Sequence, residues 1–353
     1  MKPRVALFAL ATLAPVPLLT AGALAGGGWA VAALIYMTVF AFLMDQLVSV
    51  ALGAEEDGRE FPAADSLSAF LALLHFPLFF LGVAAVAGAT GLGPAGRIAA
   101  FVAFGLFFGQ VSNSNAHELI HRGRRGLFEL GKWVFISHLF GHHTSAHRLV
   151  HHVHVATPSD PNTARRGESF YHFAPRAWRG SFREGLRAET ARPGPNPYAT
   201  YIGGALALLV VSALLAGWAG VLAHLLLAGY ATMQLLLSDY VQHYGLMRAT
   251  GKDGTPEPVS PAHSWNSAQW FTSMLMLNAP RHSDHHVHPA RPYPALQLPR
   301  DAPVLPYGLP FMGAIALWPR RWRKVMDRRL PACRQGFSPG TGAHPHNLRD
   351  SAS

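Results

Sequence analysis

The hydrophobic positions of this chain are grouped into long runs, and the polar residues are concentrated between them. Each run is close to the roughly 20 residues that an α-helix needs to cross the apolar core of a bilayer. Apolar runs of this length predict membrane-spanning helices rather than strands. We predict six spans, at approximately residues 5–25, 29–52, 67–90, 98–116, 201–219 and 221–239, and the strongly apolar part of the fourth, 98–111, is shorter than the other five spans.

Short glycine-rich turns join the predicted spans in pairs, at 26–28, 91–96 and 217–220. Because so short a connection favours tightly packed antiparallel neighbours, the pattern predicts three helical hairpins. The expected fold class is all-α: a polytopic membrane protein with a single domain over residues 1–330. The tail 331–353 is rich in Gly, Pro and Ser and is predicted to be disordered.

Basic residues are distributed unequally between the two ends of the predicted hairpins. Arg97 is the only one in or beside the short turns, whereas almost all others lie at the N-terminus, in the loop 55–66, in the segment 117–200 and after Tyr240. Positively charged loops stay on the cytoplasmic side of a membrane. We therefore predict a multi-pass protein of the cell inner membrane with both termini in the cytoplasm.

The N-terminus has a second interpretation as a secretory signal peptide. Lys2 and Arg4 precede an apolar stretch that ends in Ala23-Leu24-Ala25, which is similar to a cleavage site. The stretch is long for such a peptide, and another hydrophobic run follows it almost at once. We therefore favour a first membrane span.

Composition narrows the class of function. The 353-residue chain has a net charge of +10, but its basic residues fit cytoplasmic loops that face anionic lipid headgroups, so we predict no nucleic-acid partner. The single cysteine, Cys333, excludes a disulfide or a cysteine-ligated iron–sulfur cluster within one chain. The sequence has no glycine-rich dinucleotide motif and no phosphate loop, so we expect no nicotinamide, flavin or nucleotide of its own.

Nine histidines form four short clusters, all on the predicted cytoplasmic side. The clusters are His117 and His121; His147, His151 and His152; His243; and His282, His285 and His286. Imidazole is a ligand that suits iron, copper and zinc. Spacings of three or four residues place two rings on one face of a helix, so each such pair is predicted to converge on one point. Nine ligands exceed the needs of one tetrahedral zinc and predict two metals.

Each cluster taken alone has a simpler interpretation. His117-Glu118-x-x-His121 also matches the helical zinc-protease motif, the second cluster is compatible with a solvated polar face, and a lone His243 with an interfacial residue. Three histidines and an aspartate within 282–286 rarely serve packing. We treat the other histidines as structural or solvated, with three candidates for hydrogen bonds to the metal ligands: His142, His154 and His288.

Together the histidine motifs resemble those of the membrane alkane 1-monooxygenases, within the integral-membrane fatty-acid desaturase and hydroxylase superfamily. The similarity includes the first two clusters, 239–246 (Asp-Tyr-Val-Gln-His-Tyr-Gly-Leu) and 281–286 (Arg-His-Ser-Asp-His-His). The segment 155–161 resembles the hydroxylase branch more than the acyl desaturases. The chain departs from the family at Ala146 and at 149–150, where the family has Glu and Arg-Gly. This departure leaves the ligands in place and the substrate open.

The resemblance implies a non-haem di-iron monooxygenase. All nine clustered histidines would bind two irons without a bridging carboxylate, and the enzyme would hydroxylate the terminal methyl of alkanes to primary alcohols with O₂. Electrons would come from rubredoxin, which an NAD(P)H-dependent reductase reduces. Four carboxylates are expected to orient the imidazoles: Glu118, Asp160, Asp239 and Asp284. Five arginines are expected to dock an acidic rubredoxin, with anchoring of lipid headgroups as their alternative role: Arg122, Arg124, Arg125, Arg165 and Arg166.

A hydrophobic small-molecule substrate requires an apolar cleft that is open to membrane lipid. Spacing from His117 and His243 selects candidates on the second, fourth and sixth spans: Tyr36, Phe40, Phe108, Asn113, Ala116, Gly229, Met233 and Leu236. Close helix packing is the alternative role of the small residues among them. Other functions stay open: a fatty-acyl or lipid desaturase or hydroxylase, an aromatic-methyl hydroxylase of the same superfamily, and a membrane metal carrier.

Overall fold

The computed structural model describes residues 3–47 and 62–330. Over these residues the chain is helical, and its only extended pairings are two isolated bridges, Thr250 with Pro256 and Asn266 with Val304. The predicted all-α class is confirmed. The end of the predicted second span, at 48–52, and the predicted disordered tail 331–353 lie outside the described residues.

The helices follow one another along the chain with short connections. In order they are α1 (Pro3–Leu13), α2 (Pro15–Leu24), α3 (Trp29–Ile35), α4 (Ala41–Leu47), α5 (Pro62–Ala87), α6 (Pro94–Phe107), α7 (Asn113–Ile120), α8 (Arg125–Ser137), α9 (His143–Ala146), α10 (His152–His154), α11 (Phe170–Thr190), α12 (Tyr198–His243), α13 (Trp270–Leu275), α14 (His282–Val287), α15 (Leu309–Ala316) and α16 (Pro319–Met326). Within the described part of the chain, five helical stretches are long and apolar enough to cross a membrane: Val5–Leu24, Trp29–Leu47, Pro62–Ala87, Pro94–Ile120 and Tyr198–His243.

The fourth of these stretches extends beyond the predicted residues 98–116 at both ends. Polar residues reduce the hydropathy of its second half, but they are buried against other helices. Asn113 Nδ2 donates to the Ala231 carbonyl at 2.8 Å, and Asn115 Nδ2 donates to the Ser68 carbonyl at 2.9 Å. These bonds connect the helix to α12 and α5. The helical stretch therefore continues, through the π turn Phe108–Ser112, into the first histidine cluster.

Helix α12 consists of two arms that fold back on each other. Ala216 (φ −150°) and Gly217 (φ 58°) leave helical geometry. Ser212 Oγ lies 2.8 Å from His224 Nδ1, although in a straight helix these two residues would be about 18 Å apart. A positive φ combined with the extended ψ of Gly217 is open essentially only to glycine. The reversal begins at the predicted turn 217–220.

Three π turns interrupt the helices, at Tyr36–Phe40, Phe108–Ser112 and His147–His151. A π turn accommodates one residue more than an α turn, so the side chains on either side of it are rotated relative to regular α spacing. The first two lie within apolar stretches, and the third contains clustered histidines. Beyond each π turn, the side chains therefore point in directions that differ from those predicted from regular α-helical spacing.

Close glycine contacts hold consecutive helices together. A Cβ atom at Gly22 would lie 2.8 Å from the Ala30 nitrogen, and one at Gly82 would lie 2.9 Å from Phe104 Cδ1. The α2–α3 and α5–α6 pairs therefore pack with little space between them, as tight hairpins require.

The later helices gather where α4, α7 and α12 end. Asp45 in α4 accepts hydrogen bonds from the Phe271 and Thr272 amides at the start of α13, at 2.9 and 3.0 Å. Trp322 of α16 is fully buried, and its ring centroid lies 5.4 Å from that of Tyr240 near the end of α12. This end of the helical bundle contains all nine clustered histidines.

Candidate metal centre

Helix α7 supplies the first two histidines. His117 lies in its last turn and His121 is its C-terminal cap, with ring centroids 5.4 Å apart. Their spacing of four residues places both rings on one face, as predicted. Helix α8 packs directly behind them, because a Cβ atom at Gly131 would lie 2.7 Å from Leu119 Cβ and 2.8 Å from the Ala116 carbonyl oxygen.

The second cluster lies in and beside a π turn, which divides its histidines. His147 Nε2 lies 3.0 Å from His152 Nε2, whereas the ring of His151 lies 4.7 Å from that of His243. In a π turn, residues five apart share a face. The prediction that His147 and His151 converge on one point is therefore wrong, and His147 is paired with His152 instead.

The remaining histidines come from the end of α12 and from α14. His282 Nε2 lies 3.0 Å from His243 Nε2 and 3.1 Å from His286 Nε2. His285 points elsewhere, and its Nε2 lies 3.2 Å from His152 Nε2. The four-residue pair His282 and His286 shares one point as predicted, but the three-residue pair His282 and His285 does not.

The nine histidines thus form two adjacent groups, and the ligand atoms within each group lie within 4.8 Å of one another. The five-histidine group consists of His117, His121, His147, His152 and His285. The four-histidine group consists of His151, His243, His282 and His286. The groups are in contact, since the ring centroids of His152 and His286 are 4.5 Å apart.

The donor atoms of both groups fit metal ions. Neighbouring Nε2 atoms within the groups are 2.7 to 3.2 Å apart, and two nitrogens bound at right angles to one metal, each at about 2.1 Å, would be about 3.0 Å apart. The buried Nε2 atoms of His121 and His151 have no hydrogen-bond partner. An unpartnered buried polar atom is costly unless another group binds its lone pair. These features identify a metal centre.

Burial favours the neutral form of the imidazoles that the metal would need. Burial first, and then neighbouring imidazoles, lower the pKa values of five of them well below the usual range: His147, His152, His282, His285 and His286. His151 differs, because the Asp160 carboxylate outweighs the effect of burial and raises the pKa of this histidine.

Asp160 is the carboxylate that orients a ligand. Its Oδ2 accepts a hydrogen bond from His151 Nδ1 at 2.9 Å and another from Thr163 Oγ1 at 2.6 Å, while its Oδ1 accepts from the Asn162 amide at 3.0 Å. A proton held on Nδ1 leaves the Nε2 lone pair of His151 for a metal. Burial raises the pKa of this carboxyl, but the charge interaction with His151 and the hydrogen bonds from His151, Thr163 and Asn162 outweigh it and keep the pKa below its usual value.

The other three predicted carboxylates bind different partners in the described structure. Asp239 accepts from Asn162 Nδ2 at 2.6 Å. Glu118 pairs with Arg122 and accepts from the Tyr293 amide. Asp284 binds Arg291 at 2.7 Å, His288 Nδ1 at 3.1 Å and the Gln297 amide at 2.8 Å. None of these contacts is to a clustered imidazole, so the structure places these three carboxylates around the site rather than on its ligands.

The three histidines that were predicted to form hydrogen bonds to the metal ligands have other neighbours in the structure. His288 binds Asp284, His154 is exposed, and His142 packs against Trp178 and Phe182. In the described chain none of the three makes a hydrogen bond to a member of either group.

His143 lies beside the clustered histidines, although it is not among the predicted ligands. It is buried, and its ring centroid lies 4.9 Å from that of His147 and 5.2 Å from that of Phe140. It precedes His147 by four residues, and this spacing was an available signal. We place His143 beside the five-histidine group as part of its wall.

An apolar cavity of about 380 Å³ lies beside the metal centre. It is bounded by the second and fourth apolar stretches, the second arm of α12, α13 and α15; its lining includes Met37, Ala41, Leu106, Gly109, Leu237 and Leu309. A smaller pocket of about 50 Å³ is lined by His117, His143 and His282. Four residues line both spaces: Gly109, Ser238, Met276 and Leu309. The two spaces therefore adjoin each other, and the smaller one reaches the histidines.

The structure places the predicted channel residues on the expected helices, but mostly on other faces. Asn113 lines the small pocket. Ala116 and Leu236 are buried in packed core, and Phe108 packs against His75 and His138.

The other predicted channel residues lie beside or outside the cavity. Met233 is exposed, and a Cβ atom at Gly229 would meet nothing within 4 Å. Tyr36 and Phe40 pack against Phe271. The lining residues are their neighbours along each helix. On the second and fourth apolar stretches, the π turns at Tyr36–Phe40 and Phe108–Ser112 shift the register on which the prediction rested, whereas on α12 the packing against other helices decides the face.

Comparison with known proteins identifies the class. The family model for fatty acid desaturases matches residues 92–314, which include all nine clustered histidines. The chain belongs to the fatty acid desaturase family.

Within that family the chain is similar to alkane hydroxylases. It is 36% identical to alkane 1-monooxygenase 1 of Pseudomonas aeruginosa over 246 residues, which are 67% of this chain and 64% of the relative. It is 33% identical to alkane 1-monooxygenase 2 of Alcanivorax borkumensis over 256 residues, 70% of this chain and 67% of the relative.

A more distant relative has another substrate in its name. The chain is 24% identical to the hydroxylase component of the xylene/toluene monooxygenase of Pseudomonas putida over 214 residues, 54% of this chain and 53% of the relative. The chain thus spans about two thirds or less of the length of the curated relatives it matches. The resemblance drawn from the histidine motifs is confirmed.

Proposed function

We propose that this chain is an O₂-dependent alkane hydroxylase that holds two irons, one in each histidine group. The observation that carries the proposal is the placement of nine imidazoles, in adjacent groups of five and four, next to an apolar cavity. Similarity to alkane 1-monooxygenases supports the same conclusion. An all-nitrogen ligand set fits iron, and the reaction implied by the relatives requires a redox metal rather than zinc.

The reaction converts R–CH₃, O₂, two electrons and two protons into R–CH₂OH and water. Bound irons would supply O₂ activation, which no amino-acid side chain provides. The protein has other tasks. The imidazoles fix the metal positions, Asp160 holds the Nδ1 proton of His151, and the apolar cavity excludes water while it presents one end of the chain to the small pocket. An alkane has no polar group, so only the shape of the cavity can orient it.

We further propose that the substrate path follows the cavity and the small pocket. Gly109 and Ser238 line both spaces and so mark the connection between them. On the second apolar stretch, Met37 and Ala41 form the wall in place of Tyr36 and Phe40. On α12, Leu237 and Ser238 replace Leu236 and Met233 in this role. The proposed substrate path is therefore lined by side chains that face the cavity or the small pocket.

We propose that the protein crosses the cell inner membrane six times and that both of its termini lie in the cytoplasm. The fold-back of α12 at Gly217 supports two spans within Tyr198–His243. The bias of basic residues toward the histidine end supports its cytoplasmic location.

Rubredoxin, reduced by an NAD(P)H-dependent reductase, is the proposed electron donor. Arg124, Arg125, Arg165 and Arg166 are exposed and available to an acidic partner. Arg122 is engaged instead with the buried Glu118. It therefore contributes less to docking than the sequence suggested.

The test combines turnover with metal analysis. Membranes containing the full chain are incubated with O₂, alkanes of several lengths and a rubredoxin–reductase system, and products are identified by mass spectrometry. We expect primary alcohols, and iron near two per chain in purified active protein. Modified acyl lipids without alcohol would establish the desaturase or lipid hydroxylase alternative. Conversion of xylene but not alkanes would establish the aromatic-methyl alternative. Active protein that holds zinc and no iron would overturn the di-iron assignment.

A further inference from the structure

A buried polar side chain in the cavity wall has no partner. Gln110 lies in the π turn Phe108–Ser112, is only 5% exposed and lines the cavity. Its Oε1 atom is buried and makes no hydrogen bond. The cavity around it is lined mainly by apolar atoms. An amide in such a position has lost water without gaining a protein partner.

Apart from the partly exposed Tyr230, the other polar side chains of the cavity wall already have partners in the protein. Thr38 Oγ1 donates to the Leu34 carbonyl at 2.5 Å, and Asp45 Oδ1 accepts from the Phe271 amide at 2.9 Å. Gln234 Nε2 donates to the Gly105 carbonyl at 2.8 Å, and Ser238 Oγ donates to the Gln234 carbonyl at 3.1 Å. Gln110 thus carries the buried polar atom of this wall that is left without a partner.

We propose that the cavity accepts hydrocarbon chains that carry a hydroxyl group, and that the Gln110 amide recognises this hydroxyl. The inference rests on the proposed function, in which the cavity holds the substrate. A saturated chain leaves the amide unsatisfied, whereas a hydroxyl group both donates and accepts a hydrogen bond. It therefore satisfies the amide whichever of its two orientations is adopted.

The position of Gln110 indicates where along the chain the hydroxyl lies. Gln110 precedes His117 by seven residues of the same helical stretch, which is about 10 Å along the axis. Gly109, next to it, lines both the cavity and the pocket at the histidines. A substrate whose methyl end occupies that pocket would place an interior carbon, several bonds away, opposite the amide.

The charges of the wall favour a neutral group over a carboxylate. Among the described residues that line the cavity, none is Lys or Arg, and the one carboxylate is Asp45. A fatty-acid anion would lose its hydration without a cation to bind and would be repelled by Asp45. A hydroxyl group carries neither cost. The expected substrate class is a long-chain alkanol, whose oxidation by this enzyme would yield a diol.

Equilibrium binding tests the inference without turnover. Purified full-length protein in lipid nanodiscs is titrated with radiolabelled dodecane and with dodecanols that carry the hydroxyl at successive positions, and empty nanodiscs correct for partition into lipid. We expect affinity to peak at one or two hydroxyl positions. In Gln110→Met, which keeps the side-chain length but removes the amide, the preference for the best dodecanol over dodecane should fall about three- to tenfold, the range of one neutral hydrogen bond.

The matched control is Gln46→Met, which makes the same change at an exposed position of the second apolar stretch, outside the cavity wall. It should leave the preference unchanged. An unchanged preference in folded Gln110→Met would overturn the proposal. If that variant does not fold, the wild-type profile decides, because a flat dependence on hydroxyl position would mean that Gln110 binds only water. Failure of the hydroxylase function would appear separately, as binding without any oxidised product.

Discussion

At the residue scale, His285 and His286 are neighbours in the sequence but belong to different histidine groups. Replacing His286 by Ala leaves three ligands in its group, whereas replacing His285 leaves four in the other. We expect each variant to lose a different iron and His286→Ala to lose more iron in total. Metal analysis and Mössbauer spectroscopy of protein loaded with isotopically enriched iron measure both effects.

The matched control for these two variants is His172→Ala at an exposed position, which should retain both irons. Loss of the same Mössbauer signal from His285→Ala and His286→Ala would contradict the division into two groups.

Asp160 is the residue whose charge and hydrogen bonds organise the four-histidine group. It binds Nδ1 of His151 at 2.9 Å, and its own position is held by Thr163 and Asn162. Removing such a carboxylate typically costs 10- to 100-fold in metal affinity. We expect Asp160→Ala to weaken iron retention by about that factor, measured by competition with a chelator. Asp253→Ala, in an exposed loop, serves as control, and equal retention in the two variants would remove Asp160 from the site.

At the element scale, the π turns decide which side chains face the substrate path. Gly109 lies in the second π turn, and a Cβ atom there would come within 2.2 Å of the Gln234 amide group. We expect Gly109→Ala to narrow the connection between the cavity and the small pocket, because a close-packed wall absorbs little added volume. The longest alkane hydroxylated should become shorter, as measured by product analysis over a series of chain lengths.

Two further variants test whether the shorter substrate range results from the contact between residue 109 and Gln234. Gly229→Ala, where the added atom meets nothing within 4 Å, should keep the wild-type profile. Combining Gly109→Ala with Gln234→Ala should restore longer substrates, since the obstructing amide is removed. The path assignment fails if Gly229→Ala shortens the accepted chain and Gly109→Ala does not.

At the scale of the whole molecule, the asymmetry of charge predicts the orientation in the membrane. Cys333 is the only cysteine, and it lies in the tail that we expect in the cytoplasm. A membrane-impermeant maleimide should therefore label it in inside-out vesicles and not in intact spheroplasts. In a Cys333→Ser background, Trp218→Cys at the exposed reversal of α12 should show the opposite pattern. Labelling of both positions from one side would disprove the six-span arrangement.

The basic surface of the molecule predicts how the electron donor binds. If charge steers rubredoxin, turnover should decline as salt approaches several hundred millimolar, where the screening length falls to a few ångströms. Neutralising Arg124, Arg125, Arg165 and Arg166 should raise the apparent KM for rubredoxin more than that for alkane. Neutralising Arg187 and Arg192, exposed on α11 and just beyond it, is the control. A salt-independent KM for rubredoxin would place the docking site elsewhere.

The helical class, the approximate positions of the apolar stretches, the reversal near Gly217 and the set of clustered histidines could all be predicted from the amino-acid sequence. These properties follow from local causes: the length of an apolar run, the conformational freedom of glycine and the rarity of imidazoles at such spacing. The pairing of His117 with His121 and of His282 with His286 also followed from helical periodicity alone.

The division of the histidines into five and four, and the helix faces that line the cavity, became visible only once the helices were packed together. The division and the faces of the second and fourth apolar stretches depend on π turns, which no regular periodicity reveals, and the face of α12 depends on contacts between distant parts of the chain. His152 and His285 lie 3.2 Å apart although 133 residues separate them. The unpartnered amide of Gln110 could not be predicted from the sequence either, because it results from the packing of four other elements around this side chain. Periodicity describes one helix at a time, whereas the site arises from the packing of several.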